Sequence, residues 1–91
     1  MMISTRGRYV LRVMIDLAEH SADGYIPMKA VAERQKISLK YLEKLLPPLT
    51  KNNFITGVHG KGGGYKLTRA PKEYRVGDIL SLSEGVLPPV S

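Results

Sequence analysis

The chain has 91 residues, which fits one small domain and is too short for two independent hydrophobic cores. Its hydrophobic share of 43% is typical of a globular protein and too high for a disordered one. Cysteine is absent, which excludes disulfides, thiolate metal sites and a cysteine nucleophile within these residues. No apolar run approaches the ~18 residues of a membrane span, and no secretory signal begins the chain, so we expect a cytoplasmic protein.

The net charge of +6 is concentrated in one segment. Between Arg34 and Arg69 there are eight basic residues and a single acid, Glu43, whereas the rest of the chain is nearly neutral. A basic stretch in an otherwise balanced domain indicates a polyanionic partner such as nucleic acid. Charge alone leaves open a solvated basic face that binds nothing.

The first predicted element is a helix capped by Ser4 or Thr5. Its polar residues form a narrow stripe at helical spacing as far as His20, and apolar residues fill the remaining circumference. This pattern predicts a helix at the centre of the core. Within the polar stripe, Arg12 and Asp16 are four positions apart, and we expect them to form a weak pair.

A helix-turn-helix pattern follows. Pro27 suits the first position of a second helix, and Ser38 is a good N-cap for a third. The third helix carries leucines at the i, i+3, i+4 and i+7 positions of one buried stripe, namely Leu42, Leu45, Leu46 and Leu49. Two short helices joined by a tight turn are typical of nucleic-acid-binding domains.

The prolines of the third helix complicate this pattern. Proline costs ~3 kcal/mol in a helix interior, so Pro47-Pro48 predicts a kink, or an ending with a restart, between Leu45 and Leu49. Beyond the helix, Asn53 is expected to take the left-handed position that glycine often fills.

Residues 54–67 change to two short β segments around a glycine-rich tip, which predicts a hairpin. The glycines do not form a nucleotide-binding loop, because no Gly-Lys-Ser/Thr follows them and they do not open a helix. We expect them to let the tip approach another backbone closely, with Lys61 supplying charge where that backbone is phosphodiester.

A fourth helix is predicted from Val76 to Glu84, with Gly85 ending it and Pro88-Pro89 ending the ordered structure. The predicted fold class is therefore mostly α with a small β-hairpin, a winged helix-turn-helix.

Neither catalysis nor metal binding has support in the sequence. His20 and His59 are the only histidines, and neither has the spacing of a zinc motif or of a catalytic relay. The carboxylates are scattered singly. We predict a protein that is not an enzyme and that has no metal site and no cofactor within this chain.

Short motifs occur in a fixed order along the whole chain. They are Ser4, Gly7-Arg8-Tyr9, Ala32-Glu33, Ile37-Ser38, Tyr41-Leu42-Glu43, Leu45-Leu46, Pro48-Leu49, Gly60, Gly63-Gly64-Tyr65, Leu67, Val76-Gly77-Asp78-Ile79 and Glu84-Gly85. No single motif is specific, but all of them in order, at these spacings, resemble the Rrf2 family of bacterial winged-helix transcription regulators.

The resemblance implies a repressor that binds a partly palindromic DNA operator as a homodimer. The third helix would enter the major groove with Ser38, Lys40, Tyr41, Glu43 and Lys44. The wing would reach the minor groove with His59, Lys61 and Gly62. The start of the first helix would hold a phosphate with Thr5, Arg6 and Tyr9. Tyr9 has the alternative of simply packing in the core, and His59 stands where the family usually carries arginine.

The resemblance also divides the chain. Residues 1–85 would be the DNA-binding domain, and residues 86–91 would begin a linker to a C-terminal dimerisation helix that this chain lacks. An iron–sulfur cluster, as in the sensing members, would need cysteines beyond Ser91. We therefore expect this chain to be a monomer or a weak dimer. The alternative function is a winged-helix module that binds a protein and not DNA.

Overall fold

The computed structural model describes residues 3–83, which form four helices, two short 3-10 turns and one hairpin. The elements are α1 (Thr5–Glu19), a 3-10 turn (Ser21–Asp23), α2 (Met28–Gln35), α3 (Leu39–Lys51), β1 (Ile55–Val58), β2 (Gly64–Leu67), a second 3-10 turn (Pro71–Glu73) and α4 (Val76–Ser83). This order confirms the predicted winged helix-turn-helix. None of these helices is long and apolar enough to cross a membrane. The predicted stop at Glu84 and Gly85 and the linker over residues 86–91 lie outside the described part.

One hydrophobic core joins the four helices to the hairpin. α1 contributes Val10, Val13 and Leu17, all of them at most 2% exposed, so its predicted central position is confirmed. The leucine stripe of α3 is buried over its whole length, which fixes that helix with its opposite face outward.

Side-chain caps begin two of the helices as predicted. The Ser4 hydroxyl accepts a hydrogen bond from the Gly7 N–H at 3.0 Å, and the Ser38 hydroxyl accepts one from the Tyr41 N–H at 3.1 Å. Each cap satisfies an amide that has no partner within its helix. Pro27 lies one position earlier than predicted: it is the N-cap of α2, because its backbone is extended and Met28 is the first helical residue.

Left-handed residues end α2 and α3. Asn53 has φ 62°, as predicted, and the following Phe54 N–H bonds the Leu49 carbonyl at 2.9 Å. Lys36 has φ 56°, and the Ile37 N–H bonds the Ala32 carbonyl at 3.1 Å in the same way. The end of α3 is a Schellman motif, since the Asn53 N–H also bonds the Thr50 carbonyl at 3.1 Å. At the end of α2, the N–H groups of Lys36 and Ile37 both bond the Ala32 carbonyl. The sequence did not predict the left-handed Lys36, since lysine gives no left-handed signal.

α3 continues through Pro47-Pro48 from Leu39 to Lys51, so the predicted ending and restart is wrong. The prolines remove two bonds to the carbonyls of Glu43 and Lys44. Both of those residues are exposed, and water can bond the freed carbonyls. Burial of the leucine stripe on the other side offsets the remaining cost.

The hairpin pairs β1 with β2 in antiparallel register, from Ile55 opposite Leu67 to Val58 opposite Gly64. A bridge from Ile26 to Tyr65 adds a third segment to this sheet, with two backbone hydrogen bonds of 2.8 Å. Gly64 permits this approach: its φ is 148°, and a Cβ there would lie 2.3 Å from the Ile26 carbonyl oxygen. The close backbone contact predicted for the glycines is thus, at Gly64, a contact within the protein.

Candidate nucleic-acid interface

The first half of α3 presents an exposed polar face. Lys40, Glu43 and Lys44 are exposed and follow one another at i, i+3 and i+4, so they are neighbours on the helix surface. Ser38 lies at the helix start, also exposed. The structure therefore brings four of the five residues predicted for the major groove to the solvent side of α3.

Tyr41, the fifth, is half-buried and contacts α1. Its ring lies edge-on to the ring of Tyr9, with centroids 5.5 Å apart and an interplanar angle of 80°. Edge-to-face pairs of this kind stabilise by about 0.5–1.5 kcal/mol beyond the area they bury. The pair joins the start of α1 to the exposed face of α3. Tyr9 also packs against the hydrophobic core.

The N-terminus of α1 carries the remaining phosphate candidates. Thr5 and Arg6 are both exposed in the first turn. That turn contains no acidic residue, so the positive end of the helix dipole has no local carboxylate against it. Amides of a first helical turn lack partners within the helix, which makes them donors for an anion.

The wing places its predicted residues at an open tip. His59, Lys61 and Gly62 are exposed, and the Gly63 N–H closes the turn onto the Gly60 carbonyl at 3.0 Å. Gly62 has φ 78° and no atom within 4 Å of where a Cβ would be, so its glycine is required by conformation and not by crowding. Within residues 3–83, no hydrogen bond, ion pair or ring contact joins the tip to the exposed face of α3.

The sequence analysis assigned the wrong partner to a buried carboxylate on α1. Asp16 is 1% exposed and accepts hydrogen bonds from Arg34 Nε at 3.0 Å, Arg34 Nη2 at 2.7 Å and Gln35 Nε2 at 2.9 Å. The predicted pair with Arg12 is wrong, because Asp16 faces α2 across the core, whereas Arg12 donates to Gln35. The apolar neighbours of Asp16 along α1 were the available signal that it points inward.

Burial by itself raises the pKa of the Asp16 carboxyl, but the hydrogen bonds from Arg34 and Gln35 and the charge of Arg34 outweigh it. The pKa is therefore held below its ordinary value. His20 adds to this in the same direction, with Nδ1 at 3.7 Å from the carboxylate. Its Nδ1 also lies 2.8 Å from the Asp16 carbonyl oxygen, at the C-terminal end of α1.

A second cluster, the Tyr74 clasp, joins the exit of the wing to the end of α3. The clasp consists of Asn53, Phe54, Thr68, Arg69 and Tyr74. Thr68 Oγ1 donates to the Asn53 carbonyl at 2.6 Å. The Arg69 guanidinium lies over both rings, 5.1 Å from that of Phe54 and 4.8 Å from that of Tyr74. No sequence pattern predicts these contacts, which join separate segments of the chain.

Metal ligands are not assembled in the described part. The chain has no cysteine, and among residues 3–83 no three histidine, aspartate or glutamate side chains lie close enough together to hold an ion.

A helix-turn-helix followed by a glycine-tipped hairpin defines a winged helix-turn-helix domain, the class that the elements and the exposed face of α3 together form here. The model of the Rrf2 family, described as an iron-dependent transcriptional regulator, matches residues 3–91. The chain therefore belongs to the Rrf2 family of transcriptional regulators, which confirms the resemblance. Membership in a family of regulators also supports the prediction that it is not an enzyme. Residues 3–83, in a chain without cysteine, do not fit an iron centre.

Individual relatives agree with this placement. The transcriptional regulator IscR of Pectobacterium carotovorum subsp. carotovorum (strain PC1) is 43% identical over 81 residues, which are 89% of this chain and 49% of that protein. The structure of IscR from T. potens matches with a TM-score of 0.86 and 42% identity, and the match covers 97% of this chain and 64% of the IscR chain. The structure of CymR, the global cysteine regulator of B. subtilis, matches with a TM-score of 0.89 and 37% identity, and the match covers 100% of this chain and 70% of the CymR chain. The chain spans about half the length of the IscR relative.

Proposed function

We propose that this chain is the DNA-binding half of a sequence-specific transcription regulator that acts as a homodimer on a partly palindromic operator in the bacterial cytoplasm. The observation that carries the proposal is the exposed face of α3, where Lys40, Glu43 and Lys44 stand opposite the buried leucine stripe. The concentration of positive charge in the segment that contains this face supports the same partner.

In this proposal α3 enters the major groove, which is wide enough to admit one helix. Lys40 and Lys44 donate to guanine O6 and N7 or to phosphates, and Glu43 accepts from a cytosine amino group. The Ser38 oxygen accepts from the Tyr41 N–H, so its hydroxyl hydrogen can point outward to a base or phosphate. Tyr41 presents the edge of a ring that Tyr9 holds in place.

Two further contacts position the domain on the duplex. The wing tip inserts His59, Lys61 and Gly62 at the minor groove, and the amides of Thr5 and Arg6 hold a phosphate together with the Tyr9 hydroxyl. A neutral His59 brings less charge to a narrow minor groove than an arginine would. These contacts fix register, while α3 reads sequence.

The regulator would act as a repressor by occupying a promoter site that polymerase needs. Residues 3–83 supply no ligand set for a metal or cluster. We propose that a signal read through a metal or cluster is sensed outside these residues.

The test begins with selection of duplexes from a randomised pool by the 91-residue chain. The selected duplex is then titrated at several salt concentrations. We expect binding whose logarithm falls with the logarithm of salt concentration, by a slope of about −0.9 for each phosphate neutralised. The double variant Lys40→Ala, Lys44→Ala should lose most of this affinity. The matched control Lys29→Ala, Lys72→Ala removes two other exposed lysines and should keep it. Failure to enrich any sequence, with no salt-dependent binding, would favour the protein-interaction module instead.

A further inference from the structure

Arg12 lies between the buried interior and the proposed DNA-reading surface. Its Nε donates to Gln35 Oε1 at 3.2 Å, and its Nη2 donates to the backbone carbonyl of Gln35. Its guanidinium carbon also lies 5.4 Å from the centre of the Tyr9 ring. One planar cation thus contacts α2 through two donors and an aromatic ring on its own helix through its face.

Behind Arg12, the amide of Gln35 has a defined orientation. Asp16 can only accept hydrogen bonds when ionised, so the amide nitrogen of Gln35 must face it, at 2.9 Å from Oδ2. Arg12 can only donate, so the amide oxygen must face Arg12. The hydrogen bond to the buried Asp16 carboxylate therefore orients the Gln35 amide so that its oxygen can accept from the Arg12 guanidinium.

In front of Arg12 stand the residues proposed to contact DNA. The Tyr9 ring that the guanidinium covers is the ring that packs edge-on against Tyr41 of α3. Gln35 is the last residue of α2, and the turn that follows it leads directly to the Ser38 cap of α3. Arg12 therefore contacts two structures that support α3. One is the end of α2, which leads into the turn before α3, and the other is the Tyr9 ring, which packs against Tyr41.

We propose that Arg12 is a positioning residue for DNA recognition. It sets the orientation of Tyr9, and through Tyr9 that of Tyr41, without binding DNA itself. This rests on the proposed function of the α3 face. A lysine would not replace it, because a compact ammonium on a flexible stem has neither the two-donor fork nor a planar face for the ring.

Arg12 is exposed, so a direct contact with a DNA phosphate is the competing role. The two roles differ in charge and in shape. A phosphate contact needs only the charge, which Arg12→Lys preserves and which contributes about 0.9 to the salt slope. A positioning role needs the planar fork, and its loss leaves the salt slope unchanged.

The experiment titrates the 91-residue chain, Arg12→Lys and Arg6→Ala against the selected duplex and against a scrambled duplex, at several salt concentrations. We expect Arg12→Lys to lower affinity for the selected duplex about tenfold, with the scrambled-duplex affinity and the salt slope unchanged. Arg6→Ala should instead weaken both duplexes alike and reduce the slope by about 0.9. Circular dichroism at the titration temperature confirms that each variant is folded, so that a loss of specificity is not a loss of structure.

A double-mutant cycle tests the route through Tyr9. If Arg12 acts through this ring, Arg12→Lys added to Tyr9→Leu should reduce discrimination between the two duplexes no further than Tyr9→Leu alone. Wild-type affinity in Arg12→Lys, a lower salt slope in an Arg12→Leu variant, or additive losses in the cycle would each overturn the positioning role. If the wild-type chain itself shows no salt-dependent binding to the selected duplex, the proposed function fails and not this inference alone.

Discussion

The Tyr74 hydroxyl donates a 2.6 Å hydrogen bond to the backbone carbonyl of Phe54, a residue 20 positions earlier in the chain. The same oxygen accepts from the N–H groups of Thr68, at 3.0 Å, and Arg69, at 3.2 Å. One phenol thus uses its donor and both lone pairs on the residues that enter and leave the wing. The hairpin is thereby joined at its base to the end of the helix that we propose reads DNA.

Removal of that hydroxyl should destabilise the domain. We expect Tyr74→Phe to lower the free energy of unfolding by about 1–2 kcal/mol, because three backbone groups lose a partner that water replaces only in part. Urea denaturation followed by circular dichroism measures this. Tyr65→Phe is the matched control, since Tyr65 is also half-buried and its hydroxyl makes no hydrogen bond within residues 3–83. Equal midpoints for the two variants would show that the clasp contributes nothing to stability.

Glu43 should act in sequence discrimination. A carboxylate beside DNA repels phosphate, so its presence on the exposed face of α3 fits a contact with a cytosine amino group. We expect Glu43→Ala to bind a wider set of duplexes with little loss of affinity, as measured by repeating the selection from a random pool. Glu33→Ala, which removes an exposed acid of α2, should leave the selected set unchanged. Uniform loss of binding in Glu43→Ala would point to a structural role.

Arg6 should contribute affinity without specificity. Its charge adds to the positive end of the α1 dipole. A phosphate bound there would carry no information about the base sequence. We expect Arg6→Ala to weaken binding to every duplex by the same factor, measured by fluorescence anisotropy on a panel of selected sequences. Lys72→Ala serves as the control for loss of one exposed positive charge. A changed ranking of sequences would contradict this role.

Asp16 should make stability depend on pH in acid. Its pKa is lowered in the folded state, so its contribution is complete above the unfolded value of about 4 and is lost as the pH falls through the folded value. At neutral pH we expect Asp16→Asn to cost about 1.5–3 kcal/mol, as for a hydrogen bond to a charged group. Arg34, His20 and Gln35 face the carboxylate and stay in place. Denaturation at pH 7 and near pH 3 should show the difference between variant and wild type shrinking in acid; a constant difference would contradict it.

The 91-residue chain should be a monomer or a weak dimer at micromolar concentration. A stable interface buries more than about 1,000 Å². An apolar groove of about 240 Å³ lies between α1 and α4, where Ile15 is 54% and Val76 is 58% exposed. Sedimentation velocity across a tenfold concentration range measures the state. A tight dimer would reveal an interface that this surface does not indicate, and Ile15→Glu would show whether the groove forms it.

Local features of the fold could be predicted from the sequence, because their causes are local. The spacing of the four α3 leucines, the Ser38 cap and the left-handed Asn53 each depend on a few neighbouring residues. The continuation of α3 through Pro47-Pro48 could not be predicted in this way. It depends on whether the free energy gained by burying the leucine stripe exceeds the cost of two lost backbone hydrogen bonds.

The supporting contacts of the site could not be predicted either. Asp16 pairs with Arg34 and not with Arg12 because α2, which carries Arg34, packs against the side of α1 that Asp16 faces. That packing arises only when the whole core assembles. The Ile26–Tyr65 bridge is one residue pair long and leaves no alternating pattern. The exposure of Lys40, Glu43 and Lys44 could be predicted from the leucine stripe on the opposite face of α3, whereas the contacts that support this face could not.

The base of the wing is fixed from two directions, whereas its tip is exposed. Gly64 leaves no space between β2 and the Ile26 backbone, so any change there must disturb the sheet. Residues 59–62 are all exposed, and lengthening a loop costs only about 0.6 kcal/mol for each doubling. The tip can therefore be exchanged or extended while the rest of the domain keeps its shape. The reach into the minor groove that we propose for the wing can then be changed by selection or design separately from folding.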